Sequence, residues 1–203
     1  METRFARLLS YILHPLLLPT LSFPVIYSLP TVFSQGLPFK ALLWLFVTVF
    51  LFTFIIPVIG TLLLLYNRKI RSLEMYEAGD RTMPLMITGI SYMALYYLTR
   101  GASIPAIYLY FIYGSIIILV TGMMINLFWK ISLHTLAWGA AAGALTGISI
   151  KFMIGIPVYI ACAILLSGLA GYGRLKLNAH SQSQVYTGFA AGAGIMLLLT
   201  LLL

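Results

Sequence analysis

The stretch IPAIYLYFIYGSIIILVTGMMINLF, residues 104–128, contains no charged side chain and is long enough to cross a bilayer as one helix. Similar runs recur along the chain of 203 residues, which is 62% hydrophobic and 8% charged. Soluble domains carry about 25% charged residues, so this chain cannot cover a globular surface with charge. The sequence therefore predicts an all-α integral membrane protein.

Seven apolar runs predict membrane helices, and the first run is interrupted. It contains His14, Pro15, Pro19 and Pro24, so it is either kinked or re-entrant. We expect a polytopic membrane helical bundle of six or seven spans, forming a single domain over residues 1–203. The predicted spans are 8–29, 41–66, 83–99, 104–128, 135–150, 153–172 and 184–203.

The formal charge of +8 bears on the partners of the chain. Its Lys and Arg residues lie in short loops between spans, which suits anionic membrane lipids, so no nucleic acid is expected. The lone Cys162 excludes an intrachain disulfide and a cysteine-based metal site. The sequence leaves protein partners unknown.

Polar residues concentrate in three junctions, each directly before a predicted span. An even number of spans separates each group from the next, so all three are expected at one membrane face. Helix N-termini bind phosphate through free N–H groups and a partial positive charge. The groups are Arg68, Lys69, Arg71, Glu74, Glu77, Asp80 and Arg81; Lys130, Ser132 and His134; and Arg174, Lys176, His180 and Gln184.

Local signals place the helix ends and one close contact. Ser132 and Ser181 are good helix caps, and Pro84 fits the first turn of its helix. A small residue at every fourth position permits close packing between membrane helices. This pattern predicts tight packing beside the polar groups, at Gly139, Gly143 and Gly147.

The polar groups contain the parts that phosphoryl transfer needs. Arg81, Arg174 and Lys130 are candidate phosphate-binding cations. The two histidines of the groups, His134 and His180, allow one to attack and the other to protonate a leaving group. No His/Asp/Glu cluster resembles a metal cage, so we expect a mechanism without metal or cofactor.

Three short patterns in these groups resemble the motifs of a known family. The resemblance covers roughly residues 74–190, and the family is the type 2 phosphatidic acid phosphatases (lipid phosphate phosphatases). The patterns are Glu74, six residues, Arg81, with Pro84 nearby; Ile131-Ser132-Leu133-His134; and Gly173-Arg174, five residues, His180, three residues, Gln184.

The resemblance implies a role for each matching residue. His180 would be the nucleophile that forms a phosphohistidine, and His134 would protonate the leaving oxygen. Arg81 and Arg174 would bind the phosphate, helped by Ser132. The expected substrate is a phospholipid or a polyprenyl phosphate or diphosphate.

The sequence departs from the family pattern at three positions. Glu74 replaces a phosphate-binding Lys, so that contact is missing or comes from Lys130 or Arg71. Leu133 replaces a Gly, and Gln184 replaces the Asp that orients the nucleophile. Gln184 can orient His180 four residues earlier, or it can complete a capping box with the start of its own helix.

Two classes of function follow from these motifs. The first is a membrane phosphatase acting on lipid phosphates, slower than its relatives because Gln supplies no charge. The second is a catalytically degenerate relative that binds lipid phosphates or scaffolds membrane proteins. We expect the protein in a bacterial inner (cytoplasmic) membrane, and the distribution of Lys and Arg favours a site facing the cytoplasm.

Overall fold

The computed structural model describes residues 2–29, 37–73, 75 and 78–202, and in these ranges every regular element is a helix. The all-α fold class is therefore confirmed. Glu74, a position of the first motif, and Glu77 of the same polar group lie outside the described residues. The elements are α1 (Glu2–Ile12), a 3₁₀ turn (Pro15–Leu17), α2 (Leu18–Ser28), α3 (Phe39–Phe50), a π-helical segment (Leu51–Ile55), α4 (Ile56–Tyr66), α5 (Ala78–Thr99), α6 (Ala106–Phe128), α7 (Leu133–Phe152), α8 (Pro157–Lys176) and α9 (Gln182–Leu202).

Six helical segments are long and apolar enough to cross a membrane, and large apolar side chains lie on their surfaces. Val158 is 70% exposed and Leu165 is 63% exposed, as lipid permits and water does not. The chain is thus an integral membrane protein. The remaining predicted span, 83–99, falls in α5, which has 22 residues but is less apolar. The six are Glu2–Ser28, Phe39–Tyr66, Ala106–Phe128, Leu133–Phe152, Pro157–Lys176 and Gln182–Leu202.

The first apolar run is broken, as its prolines predict. Helix α1 ends at Ile12, and a 3₁₀ turn follows at Pro15–Leu17. The Nδ1 atom of His14 accepts a hydrogen bond from the Leu16 N–H at 3.3 Å, so this ring caps the turn. Pro24 lies inside α2. The break therefore exposes the last carbonyl groups of α1 to partners from other helices.

Helix α5 begins five residues earlier than the predicted span. Asp80 and Arg81 therefore belong to its first turn, where Asp80 complements the positive end of the helix. Pro84 lies inside the helix, so its expected first-turn position is wrong. The missing N–H of Pro84 removes a hydrogen bond to the Asp80 carbonyl.

The chain contacts define two compact units. The first consists of Met1–Leu18 and Phe128–Leu203, and the second of Pro19–Leu127. The prediction of one domain over 1–203 stays a prediction.

In the first unit, α7 and α9 run parallel with their backbones in direct contact. A Cβ on Gly139 would lie 2.9 Å from the Cα of Phe189, and one on Gly143 would lie 2.8 Å from the Cα of Ala193. The contact is reciprocal, because a Cβ on Gly188 would lie 2.8 Å from the Ser132 carbonyl oxygen. The tight packing predicted from the glycine pattern is confirmed, and it sets the N-termini of α7 and α9 side by side.

Helix α1 packs antiparallel to α8 in the same unit. Lys176 forms a salt bridge with Glu2 at one end of the pair. Further along, Leu13 packs with Ala170 and Trp138 in a buried cluster.

The second unit is held partly by hydroxyl contacts around its π-helical segment. The Ser91 hydroxyl donates to the Phe52 carbonyl at 2.5 Å, and the Thr20 and Thr53 hydroxyls are 3.1 Å apart. A π-helical turn displaces carbonyl groups from the regular helical pattern, which makes the Phe52 oxygen accessible to another helix.

Candidate active site

The second and third polar groups meet where α7 and α9 begin. The Ser132 N–H donates to the Gln184 carbonyl at 3.3 Å, so the two junctions are hydrogen-bonded to each other. Ser132 is fully buried and caps α7, because its Oγ accepts from the Thr135 N–H at 3.4 Å. These two groups therefore lie at the same end of the first unit, as the count of spans between them predicts.

A tight turn determines the geometry between Arg174 and His180. The Ala179 N–H donates to the Arg174 carbonyl at 3.0 Å, and the Asn178 N–H donates to the Leu175 carbonyl at 2.9 Å. Asn178 has φ of 51°, which completes a Schellman ending of α8. The chain thus reverses within a few residues and places His180 directly before α9.

The Gln184 side chain makes both of the contacts that the sequence left as alternatives. Its Oε1 accepts from the Ser181 N–H at 3.1 Å and lies 3.0 Å from His180 Nδ1. The Ser181 Oγ in turn accepts from the Gln184 N–H at 3.4 Å, which completes the capping box.

These contacts determine the tautomer of His180. A backbone N–H can only donate, so the Gln184 atom facing Ser181 is the carbonyl oxygen. The same oxygen faces His180 Nδ1, and therefore Nδ1 carries the hydrogen. In the neutral ring, the lone pair lies on Nε2. His180 is 8% exposed, so its ring is held in a largely buried position.

The His134 ring is anchored to the end of α1. Its Nε2 lies 3.1 Å from the Ser10 carbonyl oxygen, which can only accept, so Nε2 carries a hydrogen. One turn further along α7, Trp138 Nε1 donates to the Leu13 carbonyl at 3.0 Å. The two side chains thus bind carbonyl groups that the end of α1 leaves without helical partners.

Positive and titratable groups converge around His134. The rings of His14 and His134 meet edge to face, with their centroids 5.5 Å apart. Arg174, His14 and His180 lie close enough to His134 to interact with it electrostatically. Arg174 belongs to the last turn of α8, and its Nε is buried. The first unit thus brings Arg174 and the three histidines together.

Three of the predicted phosphate-binding residues lie in different settings. Ser132 caps α7 inside the site, and the half-buried Lys130 lies in the junction directly before it. Arg81 belongs to the second unit, where it is 5% exposed and its Nε donates to the Met75 carbonyl at 3.1 Å. Its place in a shared site stays a prediction.

Sequence reasoning missed several residues that shape the site. Asn178 carries a readable signal, because Asn is one of the few residues that tolerate the left-handed conformation at a helix end. Ser10 and Trp138 carry no such signal, since the contacts between α1 and α7 join residues more than 120 positions apart.

The fold and the site define a polytopic helical membrane protein with a histidine- and arginine-containing cluster at one end of its first unit. No family model, curated protein or solved structure matches the chain. Within the described residues, no three His, Cys, Asp or Glu side chains are grouped to hold a metal ion.

Proposed function

We propose that the protein is a membrane phosphatase that hydrolyses a phospholipid or polyprenyl phosphate or diphosphate through a phosphohistidine, as a divergent member of the type 2 phosphatidic acid phosphatases. One observation carries the proposal. Gln184 Oε1 lies 3.0 Å from His180 Nδ1 and also accepts the Ser181 N–H. This arrangement holds the hydrogen of the neutral ring on Nδ1, so the lone pair of the ring is on Nε2, the atom that we assign as the nucleophile.

In the first step, His180 Nε2 attacks phosphorus and the bond from phosphorus to the leaving oxygen breaks. The electron pair of that bond goes to the oxygen, which takes a proton from the His134 imidazolium. Because Nε2 of His134 is held by the Ser10 carbonyl, Nδ1 is the atom that donates. Water then attacks the phosphohistidine, gives its proton to Nδ1 of His134 and releases inorganic phosphate.

The non-bridging oxygens need positive charge and N–H donors. Arg174 supplies a guanidinium next to His134, and Ser132 marks the N-terminus of α7. Arg81 and Lys130 are further cations that we assign to the phosphate on their motif positions. Gln184 orients the nucleophile without charge, so turnover is expected to be lower than with a carboxylate at this position.

The test is phosphate release from phosphatidic acid and a polyprenyl diphosphate by purified protein. His180→Ala should lose turnover on both substrates and should trap no acid-labile phosphoprotein after rapid quench. Gln184→Ala should reduce turnover, whereas Gln182→Ala is the matched control, because Gln182 is exposed at the start of the same helix. Phosphoprotein that survives in His180→Ala would refute the mechanism.

A second candidate function is binding without turnover, either as a lipid-phosphate receptor or as a scaffold for membrane proteins. The observation that favours it is the contact of His180 with Gln184, whose amide oxygen orients the ring at 3.0 Å but supplies no negative charge. A protein of this kind would retain lipid phosphates, with affinity reduced by Arg174→Ala, and would release no phosphate from any substrate.

We place the protein in a bacterial cytoplasmic membrane, with the site facing the cytoplasm. The support is the distribution of Lys and Arg, which are more frequent on the membrane face expected to carry the motifs than on the opposite face. Cysteine labelling at Asn178 in intact cells and in inverted vesicles tests this orientation, and labelling only from outside the cell would reverse it.

A further inference from the structure

Ser10 carries a buried hydroxyl group that the phosphatase mechanism does not use. The residue is 6% exposed on α1, and its Oγ has no hydrogen-bond partner among the residues that the structure describes. Burying a hydroxyl without a partner costs free energy, so such groups in a folded protein call for an explanation.

The helical hydroxyls elsewhere in the protein show what is unusual about Ser10. A serine or threonine inside a membrane helix ordinarily donates to a carbonyl of its own preceding turn. Thr88, Ser115, Thr146 and Thr200 all do so, at 2.7 to 2.8 Å. Ser10 lacks this bond, although the preceding turn of α1 offers the same kind of carbonyl.

The position of Ser10 connects both motifs of the site. Its carbonyl oxygen binds His134 at 3.1 Å. Its hydroxyl lies 3.3 Å from the point that a Cβ on Gly173 would occupy, directly before Arg174. Because residue 173 has no side chain, the Ser10 hydroxyl faces the backbone of α8 directly before Arg174.

We propose that Ser10 is a phosphate-binding residue, and that its hydroxyl donates to an oxygen of the phosphoryl group held by Arg174. The inference deepens the proposed function and depends on it for the identity of the ligand. Helix α1 would then contribute a hydrogen-bond donor to the phosphoryl group in addition to packing against α7 and α8. The ligand chemistry is a phosphoryl group, present in a lipid headgroup or as free phosphate.

The experiment compares wild type, Ser10→Ala and Ser115→Ala in binding of two probes, inorganic phosphate and phosphatidic acid in mixed micelles. Ser115 is the matched control, because its hydroxyl is bonded within its own helix α6. Ser10→Ala should weaken binding about 10- to 100-fold, the range for a hydrogen bond to a charged group. Weakening for the lipid alone would identify the headgroup as the ligand.

Thermal stability without phosphate distinguishes binding from structure. Burying a hydroxyl without a protein partner costs the free protein stability, so Ser10→Ala should keep or raise the midpoint of wild type. Unchanged binding of both probes, weaker binding with a lowered midpoint, or a wild type that binds neither probe would each overturn the proposal. A wild type that binds phosphate without releasing it from a lipid would refute the phosphatase function. The comparison of Ser10→Ala with wild type would still test whether Ser10 binds phosphate.

Discussion

Replacing Gly192 by alanine tests whether backbone contact between α7 and α9 builds the site. An added Cβ would overlap the Leu136 carbonyl oxygen and lie 2.8 Å from the Ala140 nitrogen. Ordinary Cβ contacts begin near 3.4 Å, so the Ala140 nitrogen alone requires a separation of about 0.6 Å, and the nearer Leu136 carbonyl oxygen requires more. Overpacking of this kind costs about 1–3 kcal/mol, and alanine's higher helix propensity returns up to about 1 kcal/mol. Because the overlap is with backbone atoms, which cannot rotate away, the upper end of this cost applies, and the net destabilisation should be about 2–3 kcal/mol.

The assay is reversible unfolding in mixed micelles, with phosphate release measured on the same preparations. Gly194→Ala is the matched control on the same helix, because no atom lies within 4 Å of its added Cβ. It should hold or raise stability. Separating the helices also stretches the 3.3 Å hydrogen bond between Ser132 and Gln184, so Gly192→Ala should lose turnover. Equal stability of the two variants would refute the close contact.

Four further outcomes follow from the site. His134→Ala should lose less turnover on an aryl or diphosphate leaving group than on an alkyl one, and equal losses would remove its acid role. Gln184→Asp should hold or raise turnover, since a carboxylate adds charge to the same contact, and a large loss would leave capping as the function of Gln184. Arg174→Ala should lower turnover about 10²- to 10³-fold with folding intact, while the exposed Arg4→Ala should not change it. Trp138→Phe should lower stability by about 1 kcal/mol through the lost hydrogen bond to α1, measured by unfolding, and no change would make that bond dispensable.

The spans and helix caps could be predicted because their signals are local. Long apolar runs predict seven spans, and six of them coincide with helices that are long and apolar enough to cross a membrane. The Ser132 and Ser181 caps follow from residue type. The start of α5 could not be placed, because Gly79 and Pro84 weaken the helical pattern. The helix begins at Ala78 even so, with a bond from Arg81 to the Met75 carbonyl.

The candidate site was predictable to the extent that its residues are close in sequence. The contact between His180 and Gln184 is expected from their spacing of four residues, and the structure contains it, with His180 directly before α9 and Gln184 in its first turn. The anchoring of His134 by Ser10 depends on packing between α1 and α7, which no local spacing encodes. Arg81 stays a prediction, since its described contact lies within the second unit.

The anchoring of α1 by side chains of α7 has a consequence for the synthesis of the chain. Ser10 and His134 are 124 positions apart, which corresponds to about 6–25 s at usual rates of translation. Until α7 emerges, the carbonyl groups at the end of α1 need water, and the exposed Arg4 and Arg7 suit a helix resting at the membrane surface. Helix α1 therefore acquires these partners only after α7 has been synthesised, and the site cannot form before α7 and α9 have both been made.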